Sequence, residues 1–370
     1  MNILVTGGAG FIGSFLVDRL IDEGHYVRIF DNLEPQVHGN KMPPYLNKEA
    51  EFIRGDVLDY ESLHKAVSDI EIIFHEAAMV GVGQSMYQIR RYIEANTLGT
   101  ANLLDILVNK SHNVKKLIVA SSMSTYGEGS YKCKNCGIVE PELRPEEQMG
   151  KGIWEPLCTA CNSILEPIPT PETKRQDCNS IYAFSKKDQE DMVINIGKAY
   201  GIPVTALRYF NVYGARQSLS NPYTGVIAIF LSRLKNNNAP IIFEEGSQTR
   251  DFVSVHDIVH ANILSMKSHS ADYEIFNVGT SRRTSIREIA LLLSSLTEKN
   301  INPVIAGKFR KGDVRHCFAD ISKIMHKLEF EPQVSLNNGL KELIGWSANE
   351  SAEDRVEHAT EELAQKGLLK

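Results

Sequence analysis

The sequence contains no apolar run that approaches the roughly 20 residues a membrane-spanning helix requires. Its first residues, MNILVTGGAGFIG, include no basic n-region, no separate apolar h-region and no small-residue cleavage site. Basic residues are also in the minority, with 40 lysines and arginines against 46 aspartates and glutamates, and they form no basic stripe. These absences predict a cytoplasmic protein that binds neither membranes nor nucleic acid.

Cysteine is scarce as well, with six residues in 370, and the reducing cytosol disfavours disulfides. We find no internal repeat and no low-complexity tract. The 42% hydrophobic content is nevertheless sufficient for a full core in one large domain or in two closely packed ones. The chain is therefore expected to fold without a partner, and its motifs must indicate its chemistry.

A glycine-rich turn follows the first apolar run. The run NILVT is followed by Gly7, Gly10 and Gly13 and then by a segment with helical apolar spacing, which predicts a strand, a turn and a helix. Glycines let a backbone approach a pyrophosphate closely, and a helix N-terminus offers free N–H groups to it. A second strand ends at Asp31, where a carboxylate would bind ribose hydroxyls and repel a 2′-phosphate. Glycines alone could form only a tight turn, but the four features together favour NAD binding.

Further strands over 51–56, 71–78 and 115–122 alternate with helical segments. This alternation predicts an α/β fold, a Rossmann-type doubly wound parallel sheet with a smaller C-terminal lobe. The acidic, amphipathic C-terminal helix is interpreted as a solvated cap rather than a binding element. We expect an NAD-binding domain over 1–210 with an insertion at 128–176, a discontinuous and mainly substrate-binding lobe over 211–350, and the C-terminal helix over 351–370.

Tyr182 and Lys186 stand four residues apart in SIYAFSKK, so one helical turn places both side chains on one face. A phenol with a pKa near 10 is a poor base, whereas an adjacent ammonium and the charge of the nicotinamide favour its phenolate. The pair therefore predicts a general base. Ser122 ends a predicted strand, and with Ser124 it could hydrogen-bond a substrate hydroxyl or oxyanion. Because a bare YxxxK is common by chance, this pair alone leaves a packing role open.

The motifs TGGAGFIG, HEAA, SSMSTYG, YAFSK, RYFNVYG, RDFVSVHDIV and NVGT together resemble the extended short-chain dehydrogenase/reductase family, in particular its nucleotide-sugar epimerases and dehydratases. The resemblance extends over nearly the whole chain. It implies a catalytic group of Ser122, Tyr182 and Lys186, with Ser124 as a further candidate. It also implies NAD as cofactor, bound by Gly7, Gly10, Phe11, Ile12, Gly13, Asp31, Asn32, Asp56, Val57, Ala77, Ala78, Asn96, Ser121, Tyr182, Lys186 and Tyr209.

For the substrate, the resemblance implies a nucleoside-diphosphate sugar bound by the second half of the chain. Two arginines suit a diphosphate because a guanidinium matches phosphate oxygens bidentately. Without the family pattern, either arginine would be interpreted as a solvated surface residue. Long helices near 88–109 and 180–200 often pair across a two-fold axis in this family, so a homodimer is expected by analogy. The implied substrate residues are Ser122, Asn211, Arg250, Arg310 and Asp313, with the segment NPYTGV.

The residues after Ser122 bear on the reaction. Family members that dehydrate a 4-keto sugar resemble STDEVYG at this point and use the Asp and Glu as acid and base, and sugar-acid decarboxylases tend to carry the Glu. This chain has Met123 and Ser124, which cannot exchange protons in this way near neutral pH. The Asp31 carboxylate would repel the 2′-phosphate of NADPH, which is the cofactor that a one-way reductase uses. The pattern therefore favours a 4-epimerase, with a nucleotide-sugar oxidoreductase or dehydratase and a non-catalytic NAD-binding regulator as alternatives.

Four of the six cysteines lie in two CxxC pairs between the predicted catalytic serine and tyrosine. Cys133 and Cys136 form one pair, and Cys158 and Cys161 form the other. Four thiolates complete a tetrahedral shell with no position for water, so we expect a structural zinc ribbon. A redox dithiol or reduced loop cysteines are the alternatives. The ribbon is expected near the rim of the sugar pocket, where it could shape specificity.

Overall fold

The computed structural model of the chain describes residues 1–39 and 41–370. Short strands outnumber long ones, and the strands of five or more residues all belong to one sheet. In chain order the strands are β1 (Asn2–Thr6), β2 (Tyr26–Asp31), β3 (Glu51–Arg54), β4 (Ile72–His75), β5 (Lys116–Ser122), β6 (Ser130–Cys133), β7 (Gly137–Val139), β8 (Glu166–Ile168), β9 (Val204–Tyr209), β10 (Asn211–Tyr213), β11 (Ile241–Ile242), β12 (Thr249–Arg250), β13 (Phe252–Ser254), β14 (Glu274–Val278), β15 (Thr284–Ser285), β16 (Val304–Ile305) and β17 (His316–Cys317).

A π-helical turn over Ile93–Leu98 joins two helices into one continuous element, and 3₁₀ turns cover Met123–Tyr126 and His269–Ala271. The helices are α1 (Phe11–Asp22), α2 (Pro35–His38), α3 (Tyr60–Val67), α4 (Val82–Ser85), α5 (Ile89–Tyr92), α6 (Gly99–Asn109), α7 (Glu146–Gly150), α8 (Ile181–Tyr200), α9 (Val226–Lys235), α10 (Val255–Lys267), α11 (Ile286–Leu296), α12 (Ser322–Leu328), α13 (Leu336–Ser347) and α14 (Val356–Gln365). Across residues 1–39 and 41–370, no helix has both the length and the apolar content that crossing a bilayer requires.

The central sheet has seven parallel strands in the order β3-β2-β1-β4-β5-β9-β14. The chain moves outward from β1 through β2 to β3 and then crosses to the other side of β1 for β4. A crevice forms at this reversal, at the carboxyl ends of the strands. The predicted Rossmann-type fold is therefore confirmed, and its ligand-binding crevice lies beside the glycine turn that follows β1.

Apolar residues cover both faces of this sheet. Along β1, Ile3 and Val5 pack in one buried cluster with residues of α1 and α10, whereas Leu4 packs in a second cluster with residues of α3, α6 and α8. Because neighbouring strand residues point to opposite faces, a strand buried on both sides is a continuous apolar run. This is why NILVT and KLIVASS were recognisable as interior strands.

The smaller part of the molecule contains short strands and three helices. The sheets β10-β13, β11-β16 and β15-β12-β17 have only two or three strands each. Their core is a third apolar cluster in which residues of α9, α11 and α13 meet, including Phe230, Leu293 and Leu340. After β10 to β13 the chain returns to the central sheet with β14, so the two parts of the molecule are interleaved along the sequence.

Two further segments lie at the edge of the smaller part. The insertion after β5 contains the antiparallel sheet β7-β6-β8. The last residues of the chain, which follow α14, pair with residues 309–311, where Phe309 N donates to Lys370 O and Lys370 N to Phe309 O, both at 2.9 Å. In the insertion, Glu146 pairs with Lys311 at 2.9 Å, so both segments contact the loop that carries Arg310.

Candidate active site

A cavity of about 720 Å³ lies at the carboxyl edge of the central sheet and extends into the smaller part. Residues from both parts of the molecule line it, together with residues of the C-terminal segment. The predicted site residues that line it are Gly7, Gly10, Phe11, Ile12, Gly13, Asp31, Asn32, Asp56, Val57, Ala77, Ala78, Ser121, Ser122, Ser124, Tyr182, Lys186, Tyr209, Asn211, Arg250, Arg310 and Asp313.

The glycine turn is crowded by neighbouring backbone. Gly7 has φ +70°, and a Cβ built there would lie 2.7 Å from the Ala77 nitrogen; one on Gly13 would lie 2.3 Å from the Gly7 oxygen. The turn therefore needs glycines before any ligand is considered. Gly10 precedes α1 and offers no side-chain cap, so the first N–H groups of α1 remain available to an anion at the cavity wall.

Asp31 lies at the end of β2 and is 7% exposed. Its carboxylate accepts hydrogen bonds from the Ala9 nitrogen at 3.0 Å and from the Leu33 nitrogen at 2.8 Å, which fix its orientation. Burial raises its pKa. Asn32 donates to Asp56 at 2.9 Å, so polar acceptors cluster at the ends of β2 and β3. Such a rim suits ribose hydroxyls and disfavours a 2′-phosphate.

Tyr182 stands one residue into α8, whose start is capped by the Ser180 hydroxyl, which accepts from the Ala183 nitrogen at 3.1 Å. Burial raises the pKa of Tyr182 to about 12, and its hydrogen bond with Ser122 opposes the increase only in part. The sequence predicts that Lys186 and the charge of the nicotinamide together lower this pKa. Lys186 instead donates to the Ala120 carbonyl at 2.9 Å, on the side of the sheet.

The serine positions form a connected pair. The Ser124 hydroxyl donates to the Ser122 oxygen at 3.0 Å, and the Ser124 backbone nitrogen lies 3.2 Å from the same oxygen. The 3₁₀ turn over Met123–Tyr126 produces this arrangement directly after β5. The Ser122 oxygen can therefore accept a hydrogen bond from Ser124 while the Ser122 hydroxyl donates to a substrate oxygen next to the Tyr182 phenol.

Asn96 differs from the other predicted cofactor residues because it does not line the cavity. It is fully buried in the π-helical turn, where its amide oxygen accepts from the Met79 nitrogen at 2.7 Å. Its amide nitrogen donates to the Ser185 hydroxyl at 2.9 Å. In this structure Asn96 therefore fixes the wall segment at Met79 to α8, one layer behind the cavity.

The substrate residues differ in how many of their donors are already used. The Arg250 guanidinium donates to Asp313, to the Val314 carbonyl at 2.6 Å and to the Arg315 carbonyl at 3.1 Å. Arg250 therefore holds the 313–315 backbone while it lines the cavity, and its role as a diphosphate ligand stays a prediction. Arg310 lies 4.4 Å from the centroid of the Phe243 ring, and among the described residues its buried Nε has no hydrogen-bond partner. Arg310 is the better placed of the two for an anion.

Sequence reasoning missed two features of the cavity. Glu76 follows β4 directly and lines the cavity, where burial raises its pKa to about 7. The motif HEAA places a charged residue directly after an apolar strand, and this pattern could have identified Glu76 as a site residue. The C-terminal helix was interpreted as a solvated cap, but Ala359 and Leu363 are buried and line the cavity with Val356, Thr360 and Leu368. Its apolar stripe faces the site.

The four predicted zinc ligands come together at the tip of the insertion. The sulfur atoms of Cys133, Cys136, Cys158 and Cys161 all lie within 4.8 Å of one another, and those of Cys133 and Cys161 are 3.5 Å apart. A tetrahedral zinc with bonds of about 2.3 Å places its sulfurs roughly 3.8 Å apart. The described residues of this cluster therefore fit a closed four-thiolate site.

A doubly wound sheet with a glycine turn, a ribose-binding acid and a serine–tyrosine–lysine group defines a dinucleotide-dependent enzyme of the dehydrogenase type. Residues 3–147 match the model of the NAD dependent epimerase/dehydratase family, and residues 164–343 match that of GDP-mannose 4,6 dehydratase. The dTDP-L-rhamnose 4-epimerase of Burkholderia thailandensis is 36% identical over 356 residues, which cover 94% of this chain and 95% of that protein.

Solved structures show the same likeness. The UDP-glucose 4-epimerase of Thermotoga maritima with UDP-glucose has a TM-score of 0.77 and 33% identity, covering 94% of this chain and 99% of that one. The UDP-glucose 4-epimerase of Thermus thermophilus in complex with NAD has a TM-score of 0.73 and 27% identity over 95% and 100% of the two chains. The chain belongs to the NAD-dependent epimerase/dehydratase family. The predicted enzyme class, an NAD-dependent nucleotide-sugar epimerase of the extended short-chain dehydrogenase/reductase type, is confirmed.

Proposed function

We propose that this enzyme inverts C4 of a nucleoside-diphosphate deoxyhexose and that it interconverts dTDP-L-rhamnose and dTDP-6-deoxy-L-talose. The observation that carries the C4 reaction is the composition of the cavity beside Tyr182. Ser122, Ser124 and Lys186 are present there, while Met123 and Ser124 stand where a dehydratase needs an acid and a base. The substrate proposal is supported by the 36% identity to the dTDP-L-rhamnose 4-epimerase.

In the proposed reaction Tyr182 removes the proton of the sugar 4-hydroxyl, and Ser122 holds the oxygen as it becomes a carbonyl. NAD, when bound, supplies the acceptor for the C4 hydride and the donor for its return. Lys186, at the back of the same site, stabilises the phenolate through its charge. After the keto sugar has turned its other face to the cofactor, Tyr182 gives the proton back to the 4-oxygen. No net oxidant or reductant is consumed.

Inversion requires the 4-keto sugar to turn while its nucleotide stays bound. Arg310, with an unused buried Nε, and Asn211, whose buried side-chain oxygen is without a partner among the described residues, are the proposed anchors. Arg250 acts by holding the 313–315 backbone. The cavity of about 720 Å³ provides space in the size range of small-molecule and cofactor sites.

The cysteine cluster is proposed to bind a structural zinc ion, since a closed shell of four sulfurs leaves no position for a reacting water. We also propose a homodimer that pairs the helix 89–109 and α8 of two copies. Ile89, Leu98 and Phe184 on these elements are 50%, 48% and 51% exposed, and a second copy would cover these large apolar side chains.

The test is to incubate the protein with dTDP-, UDP- and GDP-hexoses and to identify the products by proton NMR. We expect a C4-inverted product from the dTDP-6-deoxyhexose without net change of the cofactor. Steady consumption of added NAD would indicate an oxidoreductase, and an accumulating keto sugar would indicate a dehydratase. Turnover of UDP-glucose instead would support the second candidate, a UDP-glucose 4-epimerase, which the likeness to the T. maritima enzyme favours.

A further inference from the structure

Glu76 is a half-buried ionisable residue that lines the cavity and that the proposed reaction does not use. It stands at the carboxyl end of β4 and accepts a hydrogen bond from the Tyr209 hydroxyl at 2.8 Å. The Asn262 amide in turn donates to the Tyr209 oxygen at 2.7 Å. This chain of donors points the Tyr209 proton at Glu76 and fixes the position of the carboxylate.

The charge of Glu76 acts on Lys186. Burial lowers the pKa of Lys186 to about 8, and the negative charge of Glu76 opposes that decrease. The effect is mutual: burial raises the pKa of Glu76, while the Tyr209 hydroxyl and the positive charge of Lys186 lower it. A carboxylate in an enclosed site is costly unless cationic groups stand nearby. The Glu76 carboxylate therefore favours a positively charged group beside it.

The residues around Glu76 are those expected to hold NAD. Ala77 and Ala78 follow it in the chain, and Lys186 and Tyr209 contact it or interact with its charge. The nicotinamide ring of NAD is positively charged when oxidised and neutral when reduced. A fixed carboxylate in this part of the cavity therefore stabilises the oxidised form more than the reduced form.

We propose that Glu76 biases the bound cofactor toward its oxidised form by placing a fixed negative charge in the nicotinamide part of the site. The benefit of this bias rests on the proposed 4-epimerase function. In that reaction the C4–H bond breaks, its two electrons leave with the hydride and the 4-hydroxyl proton goes to Tyr182; all of them return to the keto sugar. A cofactor with a lower reduction potential returns the hydride more readily, so the enzyme is protected from being trapped in the reduced state.

The test is to equilibrate the protein with known mixtures of NAD and NADH and to measure the bound NADH by its fluorescence. The parent should bind the oxidised form preferentially. Glu76→Gln has nearly the same shape and can still accept the Tyr209 hydrogen bond, but it carries no charge. We expect it to shift the bound ratio about tenfold toward NADH, which equals a potential change of ~30 mV for a two-electron couple. An unchanged ratio would overturn the proposal.

Two variants separate charge from hydrogen bonding. Tyr209→Phe keeps the carboxylate but removes its hydrogen bond, and Glu76→Asp keeps the charge on a shorter side chain. Because the Tyr209 hydroxyl lowers the pKa of Glu76, the variants are compared at a pH high enough to ionise the carboxylate, where both should retain most of the preference for oxidised cofactor. A shift in Tyr209→Phe as large as that in Glu76→Gln, with Glu76→Asp also shifted, would assign the effect to the shape of the hydrogen-bonded pair and refute the electrostatic role.

The pH dependence gives a second readout. Because the carboxylate is charged above its pKa of about 7, the preference of the parent for NAD should rise between about pH 6 and pH 8, and this step should be missing from Glu76→Gln. Among the other titratable groups facing Glu76, Lys186 changes state at the upper end of that range in both proteins, so the difference between the two profiles reports the carboxylate. The pKa of His75 is lowered to about 3, that of Tyr209 is raised well above 10, and Lys186 titrates at about 8. A flat parent profile would contradict the proposal.

The binding ratio needs no sugar, so its result is independent of the substrate assignment. If no nucleotide sugar is epimerised, the proposed function fails while the ratio still decides the role of Glu76. If epimerisation proceeds and the ratio is unchanged, the role of Glu76 alone is refuted. When both hold, Glu76→Gln should accumulate NADH absorbance during turnover, and the parent should not.

Discussion

The cofactor side of the cavity is formed by the ends of consecutive parallel strands, whereas the substrate side is formed by the short sheets of the smaller part and by the C-terminal segment. On the first side, neighbouring units along the chain are neighbours in space. On the second, contacts join distant residues: the Glu128 carboxylate, for example, accepts from the Arg315 backbone nitrogen at 2.8 Å. The regular alternation of strands and helices therefore forms the cofactor wall of the cavity. Long-range ion pairs stabilise the substrate wall.

The largest effect is expected on the cofactor side. Tyr182→Phe keeps the ring in its buried position but removes the group that exchanges the substrate proton, so kcat should fall about 10²- to 10⁴-fold. Bound NAD should be unchanged, as measured by its absorbance after release. Tyr200→Phe changes an exposed tyrosine on the same helix and should leave kcat as in the parent. Normal turnover by Tyr182→Phe would refute the assignment of the base.

The sequence predicted the cofactor side well because local pattern determines it. The ends of β1, β2 and β5 place Gly7, Asp31 and Ser122 at one edge, as expected for parallel strands. The burial of Tyr182 and the hydrogen bond of Lys186 were not predictable, because spacing in a helix cannot show how deeply a side chain is buried or where a neighbouring lysine donates.

The substrate side was less predictable because its residues acquire their roles through partners far away in the sequence. Arg250 and Arg310 are alike as sequence letters, but only the fold shows that the first is occupied by backbone carbonyls and the second is stacked on Phe243. In the same way, the amphipathic pattern of α14 identified its apolar face but not the cavity that this face covers.

The second prediction concerns the buried ion network that joins the insertion to the substrate loop. Arg144, which is 5% exposed, donates to Glu244 at 2.9 Å and to the Asp313 carbonyl at 3.1 Å. Arg144→Met leaves Glu244 buried with one partner fewer and should lower the free energy of unfolding by about 3–5 kcal/mol. Urea unfolding followed by circular dichroism measures this.

A matched control for that network is the exposed ion pair between Arg90 and Glu94, in which the arginine is 88% exposed. Arg90→Met should change the free energy of unfolding by less than about 1 kcal/mol. Equal losses of unfolding free energy in Arg144→Met and Arg90→Met would show that no buried network holds the insertion. The contrast between the cofactor wall and the substrate wall would then disappear.

The third prediction is the effect of removing the proposed zinc ion. The double variant Cys133→Ser, Cys158→Ser should lose the metal, increase amide exchange over 128–176 and raise KM for the nucleotide sugar about tenfold, since a loss of ~1.4 kcal/mol in binding has that effect. Metal content and hydrogen–deuterium exchange are the measurements. Cys178→Ser, outside the cluster, is the control. A double variant that matches the parent in exchange and KM would refute a structural role.

The fourth prediction addresses the C-terminal helix. Leu363 is 7% exposed and packs against Gly83, so Leu363→Ala opens the cavity wall without altering any polar group. The loss of buried apolar surface, about 2 kcal/mol or more, should appear partly as a several-fold rise in KM, with little change in NAD binding. Glu361→Ala on the exposed face of the same helix should have no effect. Unchanged KM in both would restore the interpretation of a solvated cap.

The smallest effect is expected from acid titration of Glu155. Burial raises its pKa, but hydrogen bonds from His316 and Arg315 outweigh burial and hold the pKa at about 2. Because this lies below the unfolded value of about 4.3, Glu155 stabilises the fold fully above that value and loses its contribution as the pH falls toward about 2. The stability difference between the parent and Glu155→Gln should therefore shrink in acid. It should also be modest, since the side chain is 32% exposed and solvent screens it.

The control for Glu155 is Glu147→Gln, because Glu147 is 82% exposed and its ion pair within residues 1–39 and 41–370 is the local one with Lys151. Its stability difference from the parent should stay near zero throughout the acid range. A difference for Glu155→Gln that stays constant with pH would mean that the carboxylate acts through shape rather than charge. In that case the long-range ion pairs would no longer distinguish the substrate wall from the cofactor wall at this contact.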